Sequence, residues 1–230
     1  AADRGRAKGH PWIMVCPGGA YINVCSISEG YPVAKKFNEL GYDVFVATYR
    51  TGLYDVMPKP LDDLAACIRY VREHRERFGV NGERYIVCGF SAGGNLTALW
   101  GTKNHGYAAY GLPKPEALFP IYPVTDLHLF PGLDPEAVNA LLTTMFGADI
   151  TEEKKDEYSA LLQADGAYPP SYIVCCKDDS TVPCVNSEKL YALEEGEHGE
   201  HGFGDGRFSD VKDWMEHAVA FAEETSGLRS

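Results

Sequence analysis

The sequence predicts an α/β fold, with a mainly parallel central sheet, helices on both faces and a small lid-like insertion. Three observations carry that prediction. Five short apolar runs are continuous rather than alternating, as in strands covered on both sides. Segments with apolar residues at helical spacing stand between them. Strand and helix patterns alternate along almost the whole chain, the signature of one parallel sheet.

The elements follow in order. Trp12–Cys16 is the first strand run. A helix is expected from Glu29 to Leu40, with Ser28 placed to cap it and Gly41 just past its end. Val44–Thr48 is the second strand. The helix from Pro60 to Phe78 sets Leu61, Leu64, Ala65, Ile68 and Val71 on one face and stops at Gly79. Tyr85–Cys88 is the third strand, and another helix starts just after Ser91. Ala117–Tyr122 and Tyr172–Cys176 are the fourth and fifth strands. A further helix is expected near Glu188 to Leu193. The last carries Val211, Trp214, Met215, Ala218, Phe221 and Ala222 on one face. The segment Pro123 to Pro170 breaks the rhythm, with a helix near Pro135 to Phe146 and a charged stretch from Thr151 to Glu157. It either covers a site at the strand ends or only packs on the surface.

Composition narrows the function classes. With 33 acidic against 21 basic residues, the net charge is −12. That argues against a nucleic-acid binder or docking on anionic lipid. No run approaches the roughly 18 apolar residues of a membrane span. The seven Cys are an odd number with no Cys-x-x-Cys pair, and most sit in apolar runs. They read as free buried thiols in a reduced, cytoplasmic protein, without structural zinc or a disulfide framework. The 230 residues allow one large domain or two small ones.

Four motifs carry chemistry. Gly89-Phe90-Ser91-Ala92-Gly93 lies between a strand and a helix. That context exposes a Ser hydroxyl on a sharp turn and aims a helix N-terminus at developing negative charge. Cys16-Pro17-Gly18-Gly19-Ala20-Tyr21 follows the first strand, and its glycines let backbone N–H groups approach a ligand. Asp178 and Asp179 follow the fifth strand, where an acid can orient a His. His198 and His201 share a Gly-rich loop before the last helix. A loop His suits a general base that later acts as an acid. Two His with two Glu there leave a metal site as a weaker alternative. The order Ser, Asp, His requires one domain, residues 1–230, because the site draws on both halves of the chain.

These strings resemble the α/β-hydrolase esterases. The resemblance is to the small carbohydrate-esterase-like branch near acetylxylan and feruloyl esterases, and to the hormone-sensitive-lipase-like group. It rests on Pro17-Gly18-Gly19-Ala20-Tyr21, Gly41–Val46 with Tyr49-Arg50, Gly89–Leu96, Asp179-x-x-Val182-Pro183 and His201-Gly202-Phe203-Gly204. It implies Ser91 as nucleophile, His201 as general base and Asp179 as orienting acid. It also implies an oxyanion hole from the N–H groups of Gly19, Ala20 and Ala92. Tyr21, Phe90 and Trp100, with the insertion at 123–170, are expected to wall the pocket. No metal or cofactor is expected; the expected partner is a small-molecule ester, acetylated sugars included, and homo-oligomerisation is left open. An amidase, a peptidase and a non-catalytic binder on the same fold stay open as alternatives. Relatives carry strands before Trp12, where Ala1 to Pro11 shows no strand pattern, so the chain is expected to be short or incomplete there. They also carry a strand before the catalytic His. Here Leu193 runs almost directly into the His loop, so either a segment is absent or the sheet ends early.

Overall fold

A computed structural model describes residues 11–188 and 192–227. Among the described residues six parallel strands form one sheet. They are β1 (Trp12–Cys16), β2 (Val44–Val46), β3 (Tyr85–Phe90), β4 (Ala117–Ile121), β5 (Tyr172–Cys176) and β6 (Ala192–Gly196), in the order β2-β1-β3-β4-β5-β6. Successive residues of each strand face opposite sides, so one strand feeds two cores. On one side α1 (Tyr31–Glu39) and α8 (Trp214–Thr225) pack Val33, Phe37, Trp214 and Met215 against Ile13, Val15, Ile86 and Phe119. On the other, α2 (Lys59–Glu73) and α4 (Ala92–Trp100) pack Leu61, Leu64, Ile68, Leu96 and Leu99 against Met14, Val87 and Leu118. Every residue of α4 is buried. That is why its sequence lacks the polar stripe of a surface helix.

The short α3 (Arg75–Phe78) continues α2 after an irregular residue, His74, and Gly79 ends it with φ +70°. The first helix starts later than expected. Ser26–Gly30 forms a wider helical turn, and α1 begins at Tyr31 with Pro32 in its first turn, where proline needs no N–H partner. Ser28 makes no capping hydrogen bond to it.

The sheet does not end early. Residues 189–191 lie outside the described residues, so most of the helix expected near Glu188 to Leu193 cannot be placed. Ala192 and Leu193, however, belong to β6, in full parallel register with β5 from Tyr172↔Ala192 to Cys176↔Gly196. Its Ala-Leu-Glu-Glu-Gly sequence reads as polar because an edge strand need not be apolar on both faces. Glu194 accepts a hydrogen bond from the Tyr172 hydroxyl (2.6 Å) and lies 3.1 Å from His217 Nδ1.

One cysteine expectation is overturned. Cys175 in β5 and Cys184 form a disulfide, because the turn after β5 folds back and brings their Cα atoms to 5.8 Å. Cys16, Cys25, Cys67, Cys88 and Cys176 are free. Among the described residues no helix is long and apolar enough to cross a membrane.

The insertion between β4 and β5 holds α5 (Pro135–Phe146), α6 (Glu152–Glu157) and α7 (Ala160–Gln163). Asp134 caps α5 by accepting from the Glu136 N–H at 3.0 Å, and Thr151 caps α6 by accepting from Lys154 N–H at 3.2 Å. The end of α5 is tied to the body of the protein. Val56 and Met57 donate their N–H groups to the carbonyls of Thr144 and Met145, both at 3.0 Å.

Candidate active site

Ser91 sits at the junction of β3 and α4 with φ +52° and ψ −115°. A side-chain-bearing residue avoids that region, and two hydrogen bonds hold it there. Its N–H donates to Ile121 C=O (3.0 Å), and its C=O accepts from Asn95 N–H (2.9 Å). The flanking glycines are required by contact. A Cβ on Gly89 would stand 2.1 Å from the Gly93 carbonyl oxygen, and one on Gly93 would stand 2.0 Å from that of Cys16. Strand and helix therefore touch backbone to backbone behind Ser91.

The other two predicted side chains converge on it. His201 Nε2 lies 2.7 Å from Ser91 Oγ, and His201 Nδ1 lies 2.7 Å from Asp179 Oδ2. The hydrogen-bond pattern assigns the ring proton to Nδ1, leaving Nε2 to accept from the serine hydroxyl. The Asp179 side chain is fully buried. Its second oxygen accepts from the N–H groups of Thr181 and Val182, each at 2.8 Å, so the carboxylate is held rigidly.

The adjacent acids divide the work. Asp178 accepts from the N–H groups of Gly199 (3.0 Å) and Glu200 (2.8 Å), anchoring the loop that carries His201. The Glu200 N–H, above all, holds the Asp178 carboxyl below its ordinary range. His198 points elsewhere: it is exposed and lies 3.6 Å from Asp178. The one group of His, Cys and acidic atoms close enough to hold an ion among the described residues is Cys175, Cys184 and Glu195, and its two sulfurs are bonded to each other.

The glycine-rich turn after β1 reaches the same spot. Ala20 (φ +53°) and Ala92 line the pocket beside Ser91, and Gly19 precedes them with φ +128°. The N–H groups of Gly19, Ala20 and Ala92 have no acceptor among the described residues. A developing oxyanion beside Ser91 can take such donors.

Two residues beneath the site escaped the sequence reading. Glu29 is buried (6 % exposed) and accepts from the Gly18 N–H (2.6 Å) and the Tyr122 hydroxyl (2.9 Å). Burial raises the Tyr122 pKa well above its ordinary value, so the phenol stays protonated and donates. The Tyr122 ring packs 4.7 Å from the His201 ring, and its oxygen accepts from Gly204 N–H at 3.4 Å. This network links the turn after β1 to the His201 loop. No local signal marks it, because Glu29 and Tyr122 stand 93 residues apart.

A pocket of about 190 Å³ opens at Ser91. Tyr21 lines it, and so do Val124, Leu127, Val138, Leu141 and Met145 of the insertion. Phe90 and Trp100 do not. Phe90 shares its strand face with Ile86 and Cys88 and packs 6.0 Å from Trp214 on the far side of the sheet. Trp100 ends a nine-residue helix, about 13 Å along its axis from Ser91. It stacks on Tyr110 and donates to the Tyr85 hydroxyl at 3.1 Å.

Fold and site define an α/β-hydrolase, with a Ser at a strand–helix elbow and a His and an Asp delivered to it from the ends of later strands. The chain belongs to the BD-FAE family, whose model matches residues 2–193. It is 26% identical over 235 residues to an acetylxylan esterase of Xylanibacter ruminicola, across 92% of this chain and 46% of the relative. It is 28% identical over 185 residues to an endo-1,4-beta-xylanase B of Butyrivibrio fibrisolvens, across 76% of this chain and 28% of that protein. The chain thus spans less than half the length of these two curated relatives. Among solved structures, an acetyl ester-xyloside bifunctional hydrolase from Caldicellulosiruptor lactoaceticus superposes with a TM-score of 0.80. The identity is 27%, covering 97% of this chain and 86% of that one. A carboxylesterase from Lactobacillus plantarum shares the fold, with a TM-score of 0.78 at 22% identity, covering 100% of this chain and 90% of that one.

Proposed function

We propose that this chain hydrolyses carboxylic esters of acylated carbohydrates through a covalent acyl-enzyme. The observation that carries the reading is the continuous hydrogen-bonded chain Ser91 Oγ–His201 Nε2 and His201 Nδ1–Asp179 Oδ2, 2.7 Å at each link. His201 takes the Ser91 proton as Oγ attacks the ester carbonyl. Asp179 fixes the imidazole tautomer and stabilises the imidazolium. The carbonyl oxygen turns towards the N–H groups of Ala92 and Ala20, with Gly19 beside them; one such donor contributes about 3 kcal/mol to the transition state. His201 then protonates the leaving alcohol, and water attacks the acyl-enzyme by the reverse path. The names of the acetylxylan esterase and the acetyl ester-xyloside hydrolase support a sugar as the alcohol half.

Ser91→Ala tests the reading. Hydrolysis of acetylated xylo-oligosaccharides and p-nitrophenyl esters should fall by roughly a thousandfold or more. A fluorophosphonate probe should label the unaltered protein at Ser91 and leave the variant unlabelled. Ester hydrolysis that survives Ser91→Ala unchanged would sink the proposal. So would exclusive turnover of amides in a parallel panel.

A further inference from the structure

Two spaces flank the Ser91–His201 pair, one lined by Ser91 and the other by His201, and they differ in chemistry. The pocket described above runs beneath the insertion, with Val124, Leu127, Val138, Leu141, Met145 and Val182 on its walls. Asn95 and Thr181 also line it, and Asn95 brings no free polar atom. Its Oδ1 accepts from the Tyr21 hydroxyl at 2.6 Å, and its Nδ2 donates to the Val124 carbonyl at 2.8 Å. Burial keeps that phenol protonated and donating. His201 is not on this wall. It lies instead on an open groove lined by Gly199, Glu200, Gly202, Phe203 and Phe208.

Proton transfer decides which half of an ester lies where. On the ester-hydrolase reading above, the bond between the carbonyl carbon and the alcohol oxygen breaks as the Ser91 Oγ–carbon bond forms. The serine proton passes through His201 Nε2 to the departing alcohol oxygen, so the alcohol half must lie on the His201 side. The carbonyl oxygen faces the N–H groups of Ala20 and Ala92. The acyl chain is left with the direction of the apolar pocket. We infer that this pocket is an acyl-binding site for aliphatic chains of about four to six carbons, while the open groove receives the alcohol. The size follows from volume. An apolar cavity of about 150 Å³ accepts benzene, so one of this size holds about six carbons. An acetyl group leaves most of it unfilled and forfeits the contacts that its walls offer.

The test is kcat/KM of the purified protein on p-nitrophenyl acetate, butyrate, hexanoate, octanoate and decanoate. Each buried methylene should raise kcat/KM about fourfold up to the pocket's length, placing butyrate more than tenfold above acetate. The maximum should fall at butyrate or hexanoate, with a decline by decanoate. Val138→Phe fills the pocket and should lower the hexanoate-to-acetate ratio at least tenfold. Leu141→Ala enlarges it and should move the maximum to longer chains. Acetate turned over as fast as butyrate and hexanoate overturns the inference and leaves the esterase reading standing. So does a chain-length profile that neither variant moves. Inactivity on every ester overturns both.

Discussion

Removing the Glu29 carboxylate should destabilise the whole domain, although no proposed step of the reaction passes through it. Its two oxygens accept from two buried donors, the Gly18 N–H at 2.6 Å and the Tyr122 hydroxyl at 2.9 Å. Glu29→Ala leaves both unmet. A buried donor without a partner costs about 1–3 kcal/mol, so the pair costs roughly 2–6 kcal/mol. For a protein of this size, each kcal/mol moves the midpoint of thermal unfolding by roughly 2–4 °C. A mid-range loss of about 4 kcal/mol therefore predicts a fall on the order of 8–16 °C. Glu29→Gln keeps one acceptor oxygen but turns an amide N–H₂ towards the other donor, so about half the loss should remain. Urea unfolding followed by far-ultraviolet circular dichroism measures both variants against the unaltered protein. A Glu29→Ala protein within about 1 kcal/mol of the original would refute the reasoning. It would mean that water or a side-chain shift satisfies both donors at little cost.

Gly93→Ala should be more damaging than its one added methyl suggests. The new Cβ would stand 2.0 Å from the Cys16 carbonyl oxygen and 2.7 Å from that of Pro17, so α4 must move off β1. A stability loss on the order of 1–3 kcal/mol or more is expected, measured in the same unfolding assay, together with loss of Ser91 labelling. Asp178→Asn should loosen the His201 loop and lower kcat several-fold at neutral pH. The folded-state pKa of Asp178 is depressed from its ordinary value of 3.8. Its stabilising bonds are therefore fully present above that value and are lost as the pH falls through the lower, folded one. The stability gap between Asp178→Asn and the unaltered protein should be widest near pH 7 and close as the pH falls from 3.8 through the lower, folded value, as unfolding at a series of pH values would show.

What the sequence determined by itself was local. Continuous apolar runs marked five of the six strands among the described residues; along β1, β3 and β4 every residue is buried, which leaves no alternation to misread. Gly89-Phe90-Ser91-Ala92-Gly93 marked the elbow, because backbone contact behind Ser91 leaves no room for a Cβ at either end of the motif. The His201 loop and the acid after β5 were legible for a similar reason: each is a short string beside a strand end. The fold had to decide whatever depends on contact between distant residues. β6 was hidden because its glutamates suit an edge strand and mimic a loop. From the residues alone either neighbouring Asp could meet the imidazole; the resemblance pointed to Asp179, and the way the His loop lies across both sets Asp179 on Nδ1 and Asp178 on the loop's N–H groups. Phe90 left the pocket wall because strand alternation sends it to the far side of the sheet. The Cys175–Cys184 bond required the turn after β5 to fold back. The Glu29–Tyr122 link and the apolar walls given by α5 arise only when segments far apart in the chain are packed over one serine.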